Sequence, residues 1–178
     1  SSAFITTKPI VDNSDPFAAL AFRFFFVAIG FYFFSIYSKQ SITVNKRDLF
    51  GSLSSGVLFH GLYLGGVFYS ISIGMPTGIA ALIVTLQPVL TNALSGPLLG
   101  ENVNIRQWFG IILGFVGAVL VLGWDVGSGI PSLGLAATII ALISITASTI
   151  WQKKISNNLS LSVNNFYQAI GGCLFHVL

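Results

Sequence analysis

Charge is what this sequence has least of. Eight Lys and Arg and five Asp and Glu make up 7% of its 178 residues, where soluble domains carry about 25%. A water-soluble surface cannot be assembled from so few charges. Cysteine is nearly absent: Cys173 stands alone, so no disulfide can close within the chain. One cysteine and two histidines also exclude a zinc site of the usual spacing. The apolar segments contain no carboxylate near their centres, because Asp12, Asp15, Asp48, Glu101 and Asp125 all fall in loops or at segment ends. There is no G-x-S-x-G, no H-x-x-x-H and no pair of intramembrane carboxylates. A membrane-embedded enzyme needs a nucleophile–base pair or clustered metal ligands, so that class is disfavoured. The net charge of +3 does not argue for nucleic acid, since membrane topology accounts for where the basic residues lie.

What is present is apolar and arranged in blocks. Hydrophobic residues reach 54%, mean hydropathy is +0.86, and the blocks approach the ~20 residues that cross a bilayer. The expected fold class is all-α, a polytopic membrane protein of about seven helices, the first and last truncated. The segments fall at 1–11, 17–37, 49–73, 76–99, 107–123, 133–152 and from 161 onward. Pro16 suits the first position of the second segment. The chain starts without Met inside a half-finished apolar segment and stops in another, so it reads as a fragment.

Lys and Arg in short loops favour the cytoplasm. Lys39, Lys46, Arg47, Arg106, Lys153 and Lys154 all fall in alternate loops, against Lys8 on the other side. Segment 1 therefore starts in the cytoplasm, and segment 3 runs outward. A weak internal repeat pairs "SAFITTK" (2–8) with "STIWQKK" (148–154) and sets Arg23 opposite Gln168. A repeat of five helices, an odd number, must be inverted in the membrane, which is characteristic of transporters.

Two residues stand out at mid-span. His60 and Gln87 each lie about thirteen residues from the tip at Gly74, hence at similar depth at ~1.5 Å per residue. Polar stripes run through them, Ser52, Gly56, His60, Tyr63 and Ser70 on one segment and Thr77, Gln87, Thr91 and Ser95 on the next. Intramembrane polar groups face the protein interior, so the stripes predict either a polar substrate cavity or helix-to-helix hydrogen bonding. Pro88 frees the carbonyl of Val84, which is tolerable only against protein or a wet cavity. Arg23 has three readings: anion contact, pairing with a partner helix, or snorkelling to the outer interface ~10 Å away. Asn165, Gln168, Gly172 and His176 share a face and are expected to approach the same cavity. Gly110, Gly114 and Gly117 predict close helix packing, as does the pair Gly61 and Gly65. Gly100 is placed to stop a helix, and Glu101 either pairs with Arg106 or gates.

Pro16 with Arg23, Ala80-Ala81-Leu82-Ile83, Pro88-Val89, Gly100-Glu101, and then Trp108, Gly110, Leu113-Gly114 and Gly117-Ala118 occur in a fixed order. In that order and spacing the chain resembles the EamA-like, ten-helix members of the drug/metabolite transporter superfamily. The resemblance implies two inverted five-helix repeats around a central cavity. It divides the chain into a first repeat at 1–124, lacking the start of helix 1, and the start of a second at 133–178. It implies secondary transport, by alternating access, of small metabolites such as amino acids across the inner membrane of a bacterium. No enzyme activity, cofactor or metal is expected. The expected partners are a small-molecule substrate and the lipid bilayer, with a homodimer as an open alternative. The competing class is a structural or channel-like membrane subunit.

Overall fold

The computed structural model describes residues 15–100, 104–122, 130–155 and 159–178. Among these the regular structure is helical: α1 (Pro16–Tyr37), α2 (Lys46–Gly56), a π-helical stretch (Val57–Leu64), α3 (Gly65–Ser72), α4 (Thr77–Val84), α5 (Gln87–Leu99), α6 (Ile105–Leu122), α7 (Ser132–Ile155) and α8 (Leu161–Val177). α2, the π stretch and α3 run on as one continuous helix, while α4 and α5 are one span interrupted at Thr85 and Leu86. Pro16–Tyr37, Thr77–Leu99 and Ser132–Lys154 are each long and apolar enough to cross a membrane. The first apolar segment of the sequence and Glu101 lie outside the described residues.

Local chemistry sets the helix ends. The Asp15 carboxylate accepts from Phe17 N and Ala18 N at 2.8 and 2.9 Å, with Pro16 in the first turn. The second long helix begins at Lys46 and not at Leu49 because Asn45 caps it: its Oδ1 accepts from Asp48 N at 2.8 Å, and its Nδ2 donates back to Asp48 Oδ2 at 2.7 Å. That helix ends in a Schellman motif, with Gly74 at φ +94°, Gly74 N bonded to Ile71 O and Met75 N to Ser70 O. Gly100, at φ +70°, closes α5 as expected.

The order of packing differs from the order in sequence. α8 lies along α1 on one side and along α2 and the π stretch on the other. α7 packs against the π stretch and α3 on one side and against α4 and α5 on the other. α6 makes its main contacts with α4 and α5 and stays peripheral. One apolar core, Leu20, Phe24, Ala28, Phe68 and Ala169, joins α1, α3 and α8; a second, Val67, Ile71 and Ala141, joins α3 and α7. Phe22, Phe25, Phe26, Phe33 and Phe34 of α1 are exposed, as befits a surface whose solvent is lipid.

Close approach of backbones holds α8 in place. A Cβ on Gly56 would collide with the Gln168 carbonyl, one on Gly171 with that of Leu53, and one on Gly172 with Cβ of His60. Helices in lipid associate through van der Waals packing and hydrogen bonds, so glycines at a crossing carry that contact. Gly61 and Gly65 take part, facing Phe175 and His176. Gly110, Gly114 and Gly117 do not, for a Cβ on any of them would meet nothing within 4 Å among the described residues. The close packing expected of that face therefore has no partner here. Gly171→Leu is expected to lower stability by about 1–3 kcal/mol or more, and Gly114→Leu by no more than ~0.5 kcal/mol. Chemical unfolding of the purified protein in detergent measures both, and equal losses would contradict the assignment of the crossing.

Candidate functional site

The π-helical stretch places His60 at the centre of the long helix. Bonding here runs from i to i+5 instead of i+4, an arrangement frequent at functional sites. At Gly65 the pattern reverts, since the Gly65 N–H returns to Gly61 O. Passing from one register to the other leaves a carbonyl over, and that carbonyl belongs to His60. Nε2 of His176 on α8 stands 2.9 Å from it. A carbonyl only accepts, so His176 carries its proton on Nε2 and turns Nδ1 away as an acceptor. Nδ1 of His176 and Nδ1 of His60 are both buried without a hydrogen-bond partner.

Aromatic rings enclose this pair. Phe24 lies 4.4 Å from the His60 ring and stacks on His176 at 6.1 Å and 13°. Phe17 closes the far side of His176 at 5.8 Å. The Arg23 guanidinium carbon stands 5.7 Å from the Phe24 ring centroid, within reach of a cation–π contact. The Arg23 residue itself is exposed among the described residues, which accords with the snorkelling reading among its three. Gln168 is buried, its backbone against Gly56, and one turn before it Asn164 Oδ1 accepts from Ser52 Oγ at 2.7 Å.

Gln87 belongs to a different group. Its Nε2 donates to Thr149 Oγ1 of α7 at 3.2 Å. Thr91, one turn on, is buried with its Oγ1 unpartnered. Tyr63 packs against the Val67, Ile71 and Ala141 cluster, toward α7. α7 thus lies between the two stripes: His60 faces α1 and α8, whereas Gln87 faces α7. Among the described residues the stripes do not meet in a single cavity. Pro88 is exposed, and the interruption that it imposes appears just upstream at Thr85 and Leu86, where Leu86 N bonds back to Ile83 O at 3.1 Å. Arg106 is exposed at the start of α6, and its pairing with Glu101 lies outside the described residues.

A polar seam along α7 escaped the sequence reading. Ser55 and Ser148 hydroxyls approach to 3.1 Å, Trp151 Nε1 donates to Ser54 Oγ at 3.0 Å, and Gln152 Nε2 donates to Ser148 Oγ at 3.3 Å. The spacing of Ser144, Ser148 and Gln152, four apart, was the available signal.

Helices of bilayer length with polar seams turned inward define the class: an all-α, polytopic membrane protein. The chain belongs to the EamA-like transporter family, which it matches over residues 1–123. It is 28% identical over 132 residues to "Uncharacterized transporter YvbV" of Bacillus subtilis (strain 168), covering 70% of this chain and 42% of that protein. It is similar, at 28% over 156 residues, to a "Probable amino-acid metabolite efflux pump" of Escherichia coli (strain K12), with 87% of this chain and 50% of the pump covered. A protein of the same description from Salmonella typhimurium is 27% identical over 153 residues, 85% of this chain and 49% of that protein. The chain spans about half the length of these two pumps. No solved structure matches significantly.

Removing the donor to the surplus carbonyl leaves a buried acceptor unmet, which costs about 1–3 kcal/mol. His176→Ala is therefore expected to lower stability by that amount in thermal or chemical unfolding. His176→Gln, which keeps a donor, is expected to recover part of it. Unchanged stability of His176→Ala would separate His176 from the π stretch.

Proposed function

We propose that this chain forms the first repeat and the start of the second of an inverted-repeat secondary transporter, one that exports or exchanges small metabolites by alternating access. One observation carries the reading: two neighbouring spans are irregular at mid-length, at Val57–Leu64 and at Thr85–Leu86, and both border α7. Irregular backbone inside a membrane is tolerated against protein or a wet cavity, and transporters place it where substrate binds. The names of the relatives favour amino acids or related metabolites as the cargo. The bacterial inner membrane fits both.

The candidate contacts sit on either side of α7. His60 Nδ1 and Thr91 Oγ1 are buried polar atoms without partners, and they are the groups offered to a polar substrate. Gln87 and Tyr63 flank α7, Pro88 sets the interruption beside Gln87, and Arg23 and Gln168 flank His60 from α1 and α8. Movement of α7 between the two irregular spans is what would bring the groups into one path. A path closed in one state and open in the other is the requirement of alternating access.

Orientation follows from charge. The described structure gathers Lys39, Lys46, Arg47, Arg106, Lys153 and Lys154 at one end of the bundle, where α1, α5 and α7 finish and α2, α6 and α8 begin. This end is assigned to the cytoplasm by the excess of Lys and Arg in short cytoplasmic loops.

His60→Ala in the full-length protein is expected to reduce substrate flux, because it removes the buried, unpartnered Nδ1 offered to the substrate. Wild-type rates would remove His60 from the site. In the full-length protein with its native cysteines, Cys173 among them, replaced by Ser, Gln40→Cys is expected to react with a membrane-impermeant maleimide only in inverted vesicles, and Ser132→Cys only from outside. The reverse pattern would invert the topology.

A further inference from the structure

Between α5 and α7 runs a cleft of ≈ 430 Å³. Leu90, Leu94 and Leu98, four apart on α5, form one wall, and Ile143 and Ile150 of α7 face them. The wall extends ~12 Å at 1.5 Å per residue from Leu90 to Leu98. Two polar residues also line it, but both turn their polar atoms elsewhere. Thr146 Oγ1 donates to Leu142 O at 2.8 Å, and Trp151 Nε1 is engaged by Ser54 at 3.0 Å. The walls therefore present apolar surface along their length. The charged lining residue is Lys154, at the end of the cleft where the basic residues of the bundle gather.

We propose that this cleft holds one acyl chain of an anionic phospholipid, with the headgroup phosphate at Lys154. The charge distribution selects the occupant. A trough that is apolar along its length and has Lys154 as the cation among its described lining residues suits a molecule with a long apolar tail and an anionic head. Trp and Lys side chains at the end of a span mark the interface where headgroups sit, and basic pockets between transmembrane helices bind anionic headgroups. The occupant also has a mechanical consequence. α5 follows the interrupted Thr85–Leu86 turn, and α7 borders both irregular spans. A chain wedged between α5 and α7 sets their separation beside the interruption.

The test uses the full-length protein, purified in detergent and stripped of lipid. It is incubated with phosphatidylglycerol or phosphatidylcholine of identical acyl chains, and retained lipid is counted by native mass spectrometry. Phosphatidylglycerol is expected to be retained over phosphatidylcholine by about five-fold, the ratio that corresponds to ~1 kcal/mol per basic residue. Lys154→Gln is expected to bring the two to parity, and Leu94→Trp, which fills the trough, to remove both. Leu94 and Lys154 are exposed in this structure, and Lys154→Gln decides the matter alone if Leu94→Trp does not fold. Equal retention of the two lipids by the wild type, a preference that survives Lys154→Gln, or retention that survives Leu94→Trp would overturn the proposal. So would the absence of retained lipid, the outcome if a further helix of the whole protein fills the cleft.

Discussion

The rest of the bundle depends on one helix crossing. α8 approaches the α2–π–α3 helix so closely that Gly56, Gly171 and Gly172 have no room for a Cβ. In lipid no hydrophobic force pulls helices together, so contact must come from shape and from hydrogen bonds. The glycines supply the shape. Ser52 with Asn164, and His176 with the His60 carbonyl, supply the bonds. This crossing seats α8 against α1, which completes the core around Leu20, Phe24 and Ala169. It also leaves the opposite face of the long helix free for α7.

The same crossing explains why the long helix can depart from α geometry. A π-helical register leaves a carbonyl with no partner in its own helix. In a bilayer core such a group costs several kcal/mol, and here His176 meets it. The irregularity and its remedy thus come from different spans. The second irregularity, at Thr85 and Leu86, has a partial local remedy. Leu86 N turns back to Ile83 O, and Thr85 Oγ1 donates to Leu82 O at 2.6 Å. One defect is stabilised by a neighbouring helix and the other by its own chain. They differ accordingly in what must move if either is to straighten.

Much of the helix map was legible because it rests on local chemistry. Asp15 with Pro16, the turn at Gly74 and the stop at Gly100 are short-range signals. The start at Lys46 is set by the Asn45 cap, which apolar periodicity does not register. Pro88 marked a weak point correctly, yet the interruption surfaces upstream, since a proline disturbs the turn that precedes it. His60 and Gln87 both fall near the middle of their spans. The polar stripes through them left a cavity and helix-to-helix hydrogen bonding as alternatives, because depth and periodicity do not say which neighbour each stripe faces. Arg23 shows the same limit, for its place in the sequence left three readings open and its exposure in the structure accords with snorkelling.

The two glycine patterns separate what each level decides. Gly61 with Gly65, and Gly110 with Gly114, share the same spacing and are equivalent as sequence. Among the described residues only the first pair meets a neighbour, because α8 lies against it, while α6 stays at the edge. By itself the sequence determined that the chain is helical, that it spans a membrane, where most of its helices begin and end, and which loops are basic. These follow from hydropathy, capping and charge, which act over a few residues. Only the tertiary structure decided which helices touch, where the π register falls and which polar groups are left unpaired. Those depend on contacts between residues more than a hundred positions apart, such as His60 and His176, and local periodicity carries no information about them.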